Sequence, residues 1–260
     1  MFAIYSIKVD NLSVNYQGSV ALSDVSFSFS RGAIVGIIGP NGAGKSTLMN
    51  AMLGLLKPTT GTVAFDGHSL SDIRKTVSYV KQKNDHDLAF PIRVKDVVMM
   101  GRYQHQNALK LPTKADRQAV LSALAQVDMQ GYANRQISKL SGGQLQRVFI
   151  ARVIAQDPSL IFLDEPFAAI DASSEQAIMA ILKHMQAQGK TIVMVHHDLS
   201  KVSEYFDEVL LLNKQVVACG KTPQVFTKDN LMVAYDNPVM SILKDIASPE
   251  GATAPQGGRL

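Results

Sequence analysis

The feature that most constrains the fold of this chain is a glycine-rich segment placed between an apolar run and a helical pattern. Residues 39–47 read GPNGAGKST and match the phosphate-loop pattern G-x-x-x-x-G-K-[ST]. The apolar run 33–38 precedes this segment and LMNAMLGLL follows it, which is the strand–loop–helix context that the motif requires. The sequence therefore predicts an α/β domain that binds the phosphates of a nucleotide.

The predicted phosphate contacts come from the whole of this loop. Its glycines let backbone N–H groups turn toward phosphate oxygens, and the helix that follows adds the positive end of its dipole. Lys45 is predicted to pair with the β- and γ-phosphates, and Ser46 to offer its hydroxyl to Mg²⁺. The predicted cofactor-binding residues of the loop are Gly39, Pro40, Asn41, Gly42, Ala43, Gly44, Lys45, Ser46 and Thr47.

Short apolar segments alternate with helical patterns along the rest of the chain. Helical spacing occurs at 114–127 and again between Ser173 or Ser174, the expected caps, and Gly189, the expected end. This alternation predicts a mostly parallel sheet covered on both faces, and the Gly/Pro/Ala-rich stretch 248–260 is predicted to be a disordered tail. The predicted strands are 8–16, 25–29, 33–38, 61–65, 76–80, 159–163, 191–195, 208–212 and 215–218.

Two adjacent carboxylates end one of the predicted buried strands. Residues 160–165 read LIFLDE, and ligands of open parallel sheets bind at the carboxyl ends of the strands. Asp164 is predicted to hold Mg²⁺, and Glu165 to polarise the attacking water as general base. A solvated loop is the usual interpretation of such a pair taken alone, but the phosphate loop upstream favours the catalytic one.

A second glycine-rich loop, LSGGQ at 140–144, makes the sequence resemble the ABC ATPase family. This loop directly precedes a helix-forming run, and its backbone N–H groups are predicted to form a second anion-binding nest. Unlike the phosphate loop, it contains no lysine. The resemblance implies that two copies pair head to tail and that each signature loop caps the ATP on its partner's phosphate loop. Ser141 and Gly143 would then contact the γ-phosphate across the interface. The signature residues assigned to nucleotide binding are Ser141, Gly142, Gly143 and Gln144.

The resemblance extends over residues 8–228 and assigns further site residues. Tyr16 matches the aromatic residue that stacks on adenine, with an ordinary edge-strand tyrosine as the alternative. Gln82 matches the glutamine that senses Mg²⁺ and relays to the membrane partner. Asp171 matches the acidic residue after the catalytic glutamate, in a loop that reads PFAAID where much of the superfamily has Ser-Ala-Leu-Asp. His197, which precedes an Asp, is assigned the γ-phosphate contact, and His196 is interpreted as a spacer.

These assignments give a complete predicted site and a domain plan. The plan implied by the resemblance is a P-loop (RecA-like) ATPase core with a mostly parallel sheet, an antiparallel β subdomain and a helical subdomain. Core and β subdomain are predicted at 1–84 and 156–228, the helical subdomain with the signature at 85–155, and a C-terminal extension at 229–260. The predicted catalytic residues are Lys45, Gln82, Glu165 and His197, and the predicted Mg²⁺ ligands are Ser46, Gln82 and Asp164.

Length and composition limit which kind of ABC protein this is. The 93 residues between Thr47 and Ser141 leave no room for the long coiled coil of the DNA-repair types, and the single phosphate loop excludes two-cassette translation factors. No apolar run reaches the roughly 18 residues of a membrane span. A secretory signal is not expected at the N-terminus, and Cys219 alone forms no internal disulfide. The net charge of +4 is scattered along the chain, so no nucleic-acid partner is predicted.

What remains is a separate ATPase subunit of a transporter. It is predicted to lie peripherally on the cytoplasmic face of the inner (plasma) membrane, docked on an integral membrane permease and served indirectly by a solute-binding protein. A soluble ABC ATPase outside transport is the alternative from another class. An apolar cluster at 88–91 indicates either a socket for a permease helix or packing of the subdomain core by Phe90 and Val94.

The cargo is predicted from resemblance alone. The segment 90–117, together with PFAAID and VHHDLS, resembles ATPase subunits of transition-metal importers, which implies manganese, with zinc or iron as further candidates. Iron–siderophore or haem uptake is the alternative. The stretch Asp85-His86-Asp87 is explained equally well by a solvated loop, so Mg²⁺ with the nucleotide is the only metal expected on this chain.

Overall fold

Two sheets organise the chain in the computed structural model, which describes residues 6–16, 18–81, 91–106, 111–168 and 170–235. The strands are β1 (Ile7–Tyr16), β2 (Ser19–Phe29), β3 (Ile34–Ile38), β4 (Thr60–Phe65), β5 (Val77–Val80), β6 (Leu160–Asp164), β7 (Thr191–Val195), β8 (Glu208–Asn213) and β9 (Gln215–Lys221). A six-stranded sheet has the order β5-β6-β7-β3-β8-β9, and a three-stranded sheet has the order β2-β1-β4. All pairs of the larger sheet are parallel except β8 with β9, whereas the smaller sheet is antiparallel. The predicted mostly parallel α/β fold is therefore confirmed.

Helices follow or separate most of these strands. They are α1 (Lys45–Met52), α2 (Leu70–Ile73), α3 (Val94–Met100), α4 (Lys114–Gln126), α5 (Gly142–Gln156), α6 (Ala172–Ala187), α7 (Val202–Tyr205), α8 (Thr222–Val225) and α9 (Lys228–Ala234). Within the described ranges, none of the helices has the length and apolar character needed to cross a membrane.

The parallel strands are buried on both faces, which explains their continuous apolar sequences. In β3, Ile34 and Ile38 belong to one hydrophobic cluster, which also contains the buried residues of α3, α4 and α5. Val35 and Ile37 belong to the other cluster, which contains the inner face of the antiparallel sheet and the buried side of α1. Since alternate residues of a strand point to opposite faces, a strand sandwiched between two cores needs an apolar residue at nearly every position.

Several predicted boundaries were wrong by a few residues. The strand predicted at 25–29 begins already at Ser19, because its first half pairs with the end of β1, with Leu22 opposite Val14 and Ser19 opposite Tyr16. The strand predicted from residue 76 begins at Val77, since 74–76 form a 3₁₀ turn, and β9 continues past the predicted end at 218 to Lys221. The cap of α6 is Asp171, whose carboxylate accepts from the Ser174 N–H, and not Ser173 or Ser174.

An ion pair joins the helices on one side of the larger sheet. Arg102, just after α3, contacts the Asp116 carboxylate of α4 at 3.0 Å and donates to the Ala155 carbonyl of α5 at 2.9 Å. Val94, at the start of α3, is fully buried in the same cluster, as one of the two sequence interpretations expected. Gln82, Phe90, Asp85-His86-Asp87 and the residues from 236 onward lie outside the described residues. The predicted domain boundaries remain a prediction.

Candidate functional site

The phosphate loop connects the carboxyl end of β3 to the first turn of α1. Gly42 and Gly44 have φ of 79° and 91°, a left-handed conformation that glycine adopts without a steric penalty. Gly39 is required for a different reason: a Cβ there would lie 2.0 Å from the Leu212 carbonyl oxygen of β8. The loop thus packs against the end of β8 and leads directly into the N-terminus of α1 at Lys45.

Lys45, the first residue of α1, is folded back over the loop that precedes it. Its side chain is buried, and its Nζ donates to the carbonyl oxygens of Gly39 at 2.7 Å and Pro40 at 2.8 Å. An ammonium group has three N–H donors, so one remains for a ligand. Burial lowers the pKa of Lys45, while the negative charges of Glu165 and Asp164 raise it in part. The lysine is therefore positioned beside both predicted carboxylates.

Asp164 is a buried carboxylate without full hydrogen bonding. It is the last residue of β6, is 6% exposed, and its Oδ1 has no hydrogen-bond partner among the described residues. Burial raises the pKa of Asp164, and the adjacent Glu165 raises it further. A carboxylate oxygen without a partner and the Ser46 hydroxyl of the phosphate loop are the kind of oxygen donors that Mg²⁺ prefers. The residues therefore fit the predicted ion, which would neutralise phosphate charge when bound.

Glu165 follows in a strained backbone conformation and faces a histidine. Its φ of 46° is rare for a residue with a side chain, and such outliers concentrate at functional sites. His197 Nδ1 lies 4.0 Å from Glu165 Oε2, and the His197 ring is more than half exposed. His196 is buried instead, in contact with the rings of Phe167 and Phe206, and burial lowers its pKa to about 4. Of the two histidines, only His197 lies at the open site beside Glu165.

Two cavities open on either side of the phosphate loop. The first has a volume of about 500 Å³ and includes Tyr16, which is about half exposed, together with Lys45, Ser46 and Glu165. The second has a volume of about 480 Å³ and is lined by Gly39, Pro40, Asn41, Glu165, His197 and Tyr235. Glu165 borders both cavities. The fold thus brings Tyr16, the loop, Glu165 and His197 together from four separate parts of the sequence.

The sequence analysis missed two residues of these cavities. Lys214, in the turn between β8 and β9, lines the first cavity, and Tyr235, directly after α9, lines the second. Burial raises the pKa of Tyr235 to about 12, so it is a neutral phenol. Neither residue belongs to a recognisable local motif, and no signal in the sequence could have found them, because tertiary packing alone brings these late segments to the loop.

The signature loop lies apart from both cavities. Ser141 caps α5, accepting from the Gln144 N–H at 3.2 Å, while the Gln144 side chain accepts from the Ser141 N–H at 3.1 Å. A Cβ on Gly143 would lie 2.5 Å from Ser174 Oγ, so α5 packs tightly against the start of α6, which Asp171 caps. Among the described residues that line the two cavities, none comes from 141–144.

Comparison with known proteins agrees with this arrangement. The family model described as ABC transporter matches residues 22–168, which include the phosphate loop, the signature loop and the carboxylate pair. This chain belongs to the ABC transporter family. As an ABC ATPase, it has the phosphate loop, signature and carboxylate pair in the order that the resemblance implied, and it is an ATP-binding enzyme that hydrolyses ATP.

Individual relatives of this ABC ATPase are similar over almost their whole length. It is 48% identical to the manganese transport system ATP-binding protein MntB of Listeria innocua, over 90% of this chain and 98% of the relative. It is 45% identical to the zinc transport system ATP-binding protein TroB of Treponema pallidum, over 92% of this chain and 90% of the relative. Among solved structures, the ATP-binding cassette MJ0796, a dimer bound to ADP and phosphate, superposes with a TM-score of 0.72 at 30% identity, over 83% and 98% of the two chains.

Proposed function

We propose that this chain is the ATP-hydrolysing subunit of an importer for transition-metal ions, with manganese as the first candidate cargo and zinc or iron as the others. The observation that carries the proposal is the 48% identity, over 90% of the chain, to a protein named for manganese transport. The geometry of the site supports ATP hydrolysis but carries no information on the transported ion, because an ATPase subunit does not touch that ion.

Each part of the proposed hydrolysis site has a role that its position supports. Lys45 would bind the β- and γ-phosphates with its remaining N–H donor, and Ser46 and Asp164 would hold Mg²⁺. Glu165 would orient and deprotonate the attacking water. His197, which lies 4.0 Å from Glu165, would donate a hydrogen bond to the γ-phosphate. Tyr16 would stack on the adenine at the far end of the first cavity. Gln82 lies outside the described residues, and its role stays a prediction.

A head-to-tail dimer would complete this site. The signature residues 141–144 form a helix N-terminus with anion-binding character, yet they line neither cavity of their own chain. A second copy would bring its Ser141 and Gly143 over the nucleotide, and its Asp171 would lie near the same interface because α5 and α6 begin side by side. The dimeric arrangement of the similar cassette MJ0796 supports this assembly.

A groove on another face is the candidate contact for the permease. It has a volume of about 300 Å³ and is lined by Leu53, Leu55, Leu70, Arg74, Val77, Ser78, Tyr79, Gln104, Arg152 and Gln156. Leu55, which is 62% exposed, contributes apolar surface to this groove together with Leu53 and Leu70, and Tyr79 belongs to β5, three residues before Gln82. A short permease helix in this groove would lie next to the predicted glutamine relay. The ATPase would then work at the cytoplasmic face of the membrane, and a solute-binding protein would act through the permease.

The cargo is tested in a strain that lacks this subunit. Uptake of labelled manganese, zinc and iron ions is measured with and without a plasmid-borne copy, and labelled siderophore uptake serves as the control. Loss of manganese uptake that is restored by the intact gene, but not by a Lys45→Ala copy, is the expected result. Unchanged uptake of all three ions with lost siderophore uptake would contradict the metal-ion assignment and favour the alternative cargo.

A further inference from the structure

Lys214 occupies an unusual backbone position at the turn between β8 and β9. Asn213 and Gln215 pair across the hairpin, which leaves Lys214 alone at its apex with φ of 59°. This left-handed conformation is unfavourable for residues with a Cβ and is the natural conformation of glycine in turns. A lysine therefore costs stability at this turn, and such a cost is often associated with a functional residue.

The backbone of this turn is attached directly to the phosphate loop. The Lys214 N–H donates to the Ala43 carbonyl oxygen at 2.9 Å, and its own carbonyl accepts from the Ser23 N–H at 2.8 Å. Ala43 is a residue of the loop itself and is buried, while Ser23 belongs to β2. Hydrogen bonds of both its backbone N–H and its backbone carbonyl thus fix the position of Lys214 relative to the nucleotide site.

Lys214 borders only one of the two cavities at that site. It lines the first cavity together with Tyr16 and Val20, and it does not line the second cavity, to which His197 and Tyr235 contribute. Within the part of the chain that the structure describes, no carboxylate is close enough to form an ion pair with its ammonium group. The cation is accordingly available to an anion held in the cavity, on the side of the predicted adenine contact.

We infer that Lys214 is a nucleotide-binding residue whose ammonium group contacts the phosphate nearest the nucleoside. A lysine ammonium is a compact point charge that suits a phosphate oxygen, and Lys45 already serves the terminal phosphates from the other end of the loop. This inference rests on the nucleotide site proposed above. It assigns the α-phosphate end, shared by ATP and ADP, to a residue that no motif contains.

The test compares affinities for ATP and ADP by isothermal titration calorimetry. Lys214→Gly is expected to weaken both by a similar factor of about 3 to 10, with the loss shrinking as salt is raised, because the group is exposed and screened. The same variant is expected to have a raised Tm, because glycine relieves the left-handed strain. Lys214→Arg should retain both affinities, and Lys221→Gln, at the other end of β9, controls for net charge.

The possible outcomes separate this inference from the site on which it rests. Unchanged affinities in Lys214→Gly would overturn it, and a loss confined to ATP would overturn the assignment to the α-phosphate. Loss of affinity together with a lowered Tm would also count against it, since damage to the fold would then explain the result. If Lys45→Ala binds ATP normally, the proposed nucleotide site itself is wrong, and this result is independent of what Lys214 does.

Discussion

Replacing Asp164 by asparagine should stabilise the nucleotide-free protein while it removes activity. The carboxylate is buried, one of its oxygens lacks a hydrogen-bond partner among the described residues, and Glu165 places a second negative charge beside it. A buried charged group without full hydrogen bonding costs more than the about 1–3 kcal/mol of a neutral polar group, so removing the charge saves part of that cost, and the attraction of Lys45 for the carboxylate offsets part of the saving. Asparagine has nearly the same shape without the charge. We therefore expect the free energy of unfolding to rise by about 1–2 kcal/mol.

The pH dependence of this gain follows from the direction of the pKa shift. Burial raises the pKa of Asp164 in the folded state above its unfolded value near 3.8. Below that value the carboxyl is protonated in both states and the charge costs nothing. As the pH rises through the folded-state pKa, the native protein alone must ionise a buried group, so wild-type stability falls relative to the variant. The difference between the two proteins should be complete at neutral pH and small at pH 4.

Thermal unfolding without nucleotide is the measurement. For a chain of this size, 1–2 kcal/mol corresponds to a rise in Tm of about 2–6 °C. Adding ATP with Mg²⁺ should then raise the Tm of the wild type more than that of the variant, because a predicted metal ligand is gone. Glu204→Gln, which removes a largely exposed carboxylate, is the control. A lower Tm of nucleotide-free Asp164→Asn would refute the reasoning, since it would mean that Lys45 already compensates the buried charge.

Three further predictions concern catalysis, assembly and packing. Glu165→Gln should bind ATP without hydrolysing it and elute as an ATP-dependent dimer in size exclusion; near-normal turnover would exclude Glu165 as the base. Gly143→Ala places a Cβ 2.5 Å from Ser174 Oγ, so it should displace the signature loop that is proposed to complete the partner's site. The variant should therefore keep ATP affinity but lose ATPase activity and dimer formation. Lost ATP affinity would instead mean that the signature loop contributes to the nucleotide site of its own chain. Asp116→Asn should lower the free energy of unfolding in urea by about 1–2 kcal/mol at pH 7, because hydrogen bonds from Thr113 lower the pKa of Asp116 to about 2. This contribution is present above the unfolded value near 3.8 and is lost as the pH falls toward 2, so an equal deficit at pH 2 would contradict it.

Local motifs were sufficient to predict the family and the segments that form the candidate site. The phosphate loop, the carboxylates that end β6 and the signature at the start of α5 each combine a sequence pattern with its own secondary structure. For that reason Lys45 and Asp164 could be proposed as site residues before their neighbours were known. The same locality made continuous apolar runs a reliable sign of the buried parallel strands, although the sequence did not reveal the cap that Asp171 provides to α6.

What depends on distant parts of the chain could be decided only by the tertiary structure. The sequence determined that a P-loop ATPase with an ABC signature is present, because short segments carry that information in their own residue types. It did not determine that Lys214 is attached to Ala43, that Tyr235 borders the cavity of Glu165, or that Gly39 must lack a Cβ because the Leu212 carbonyl lies behind it. These contacts join segments that are far apart in sequence, and the order of strands in the sheet, with β3 between β7 and β8, brings them together.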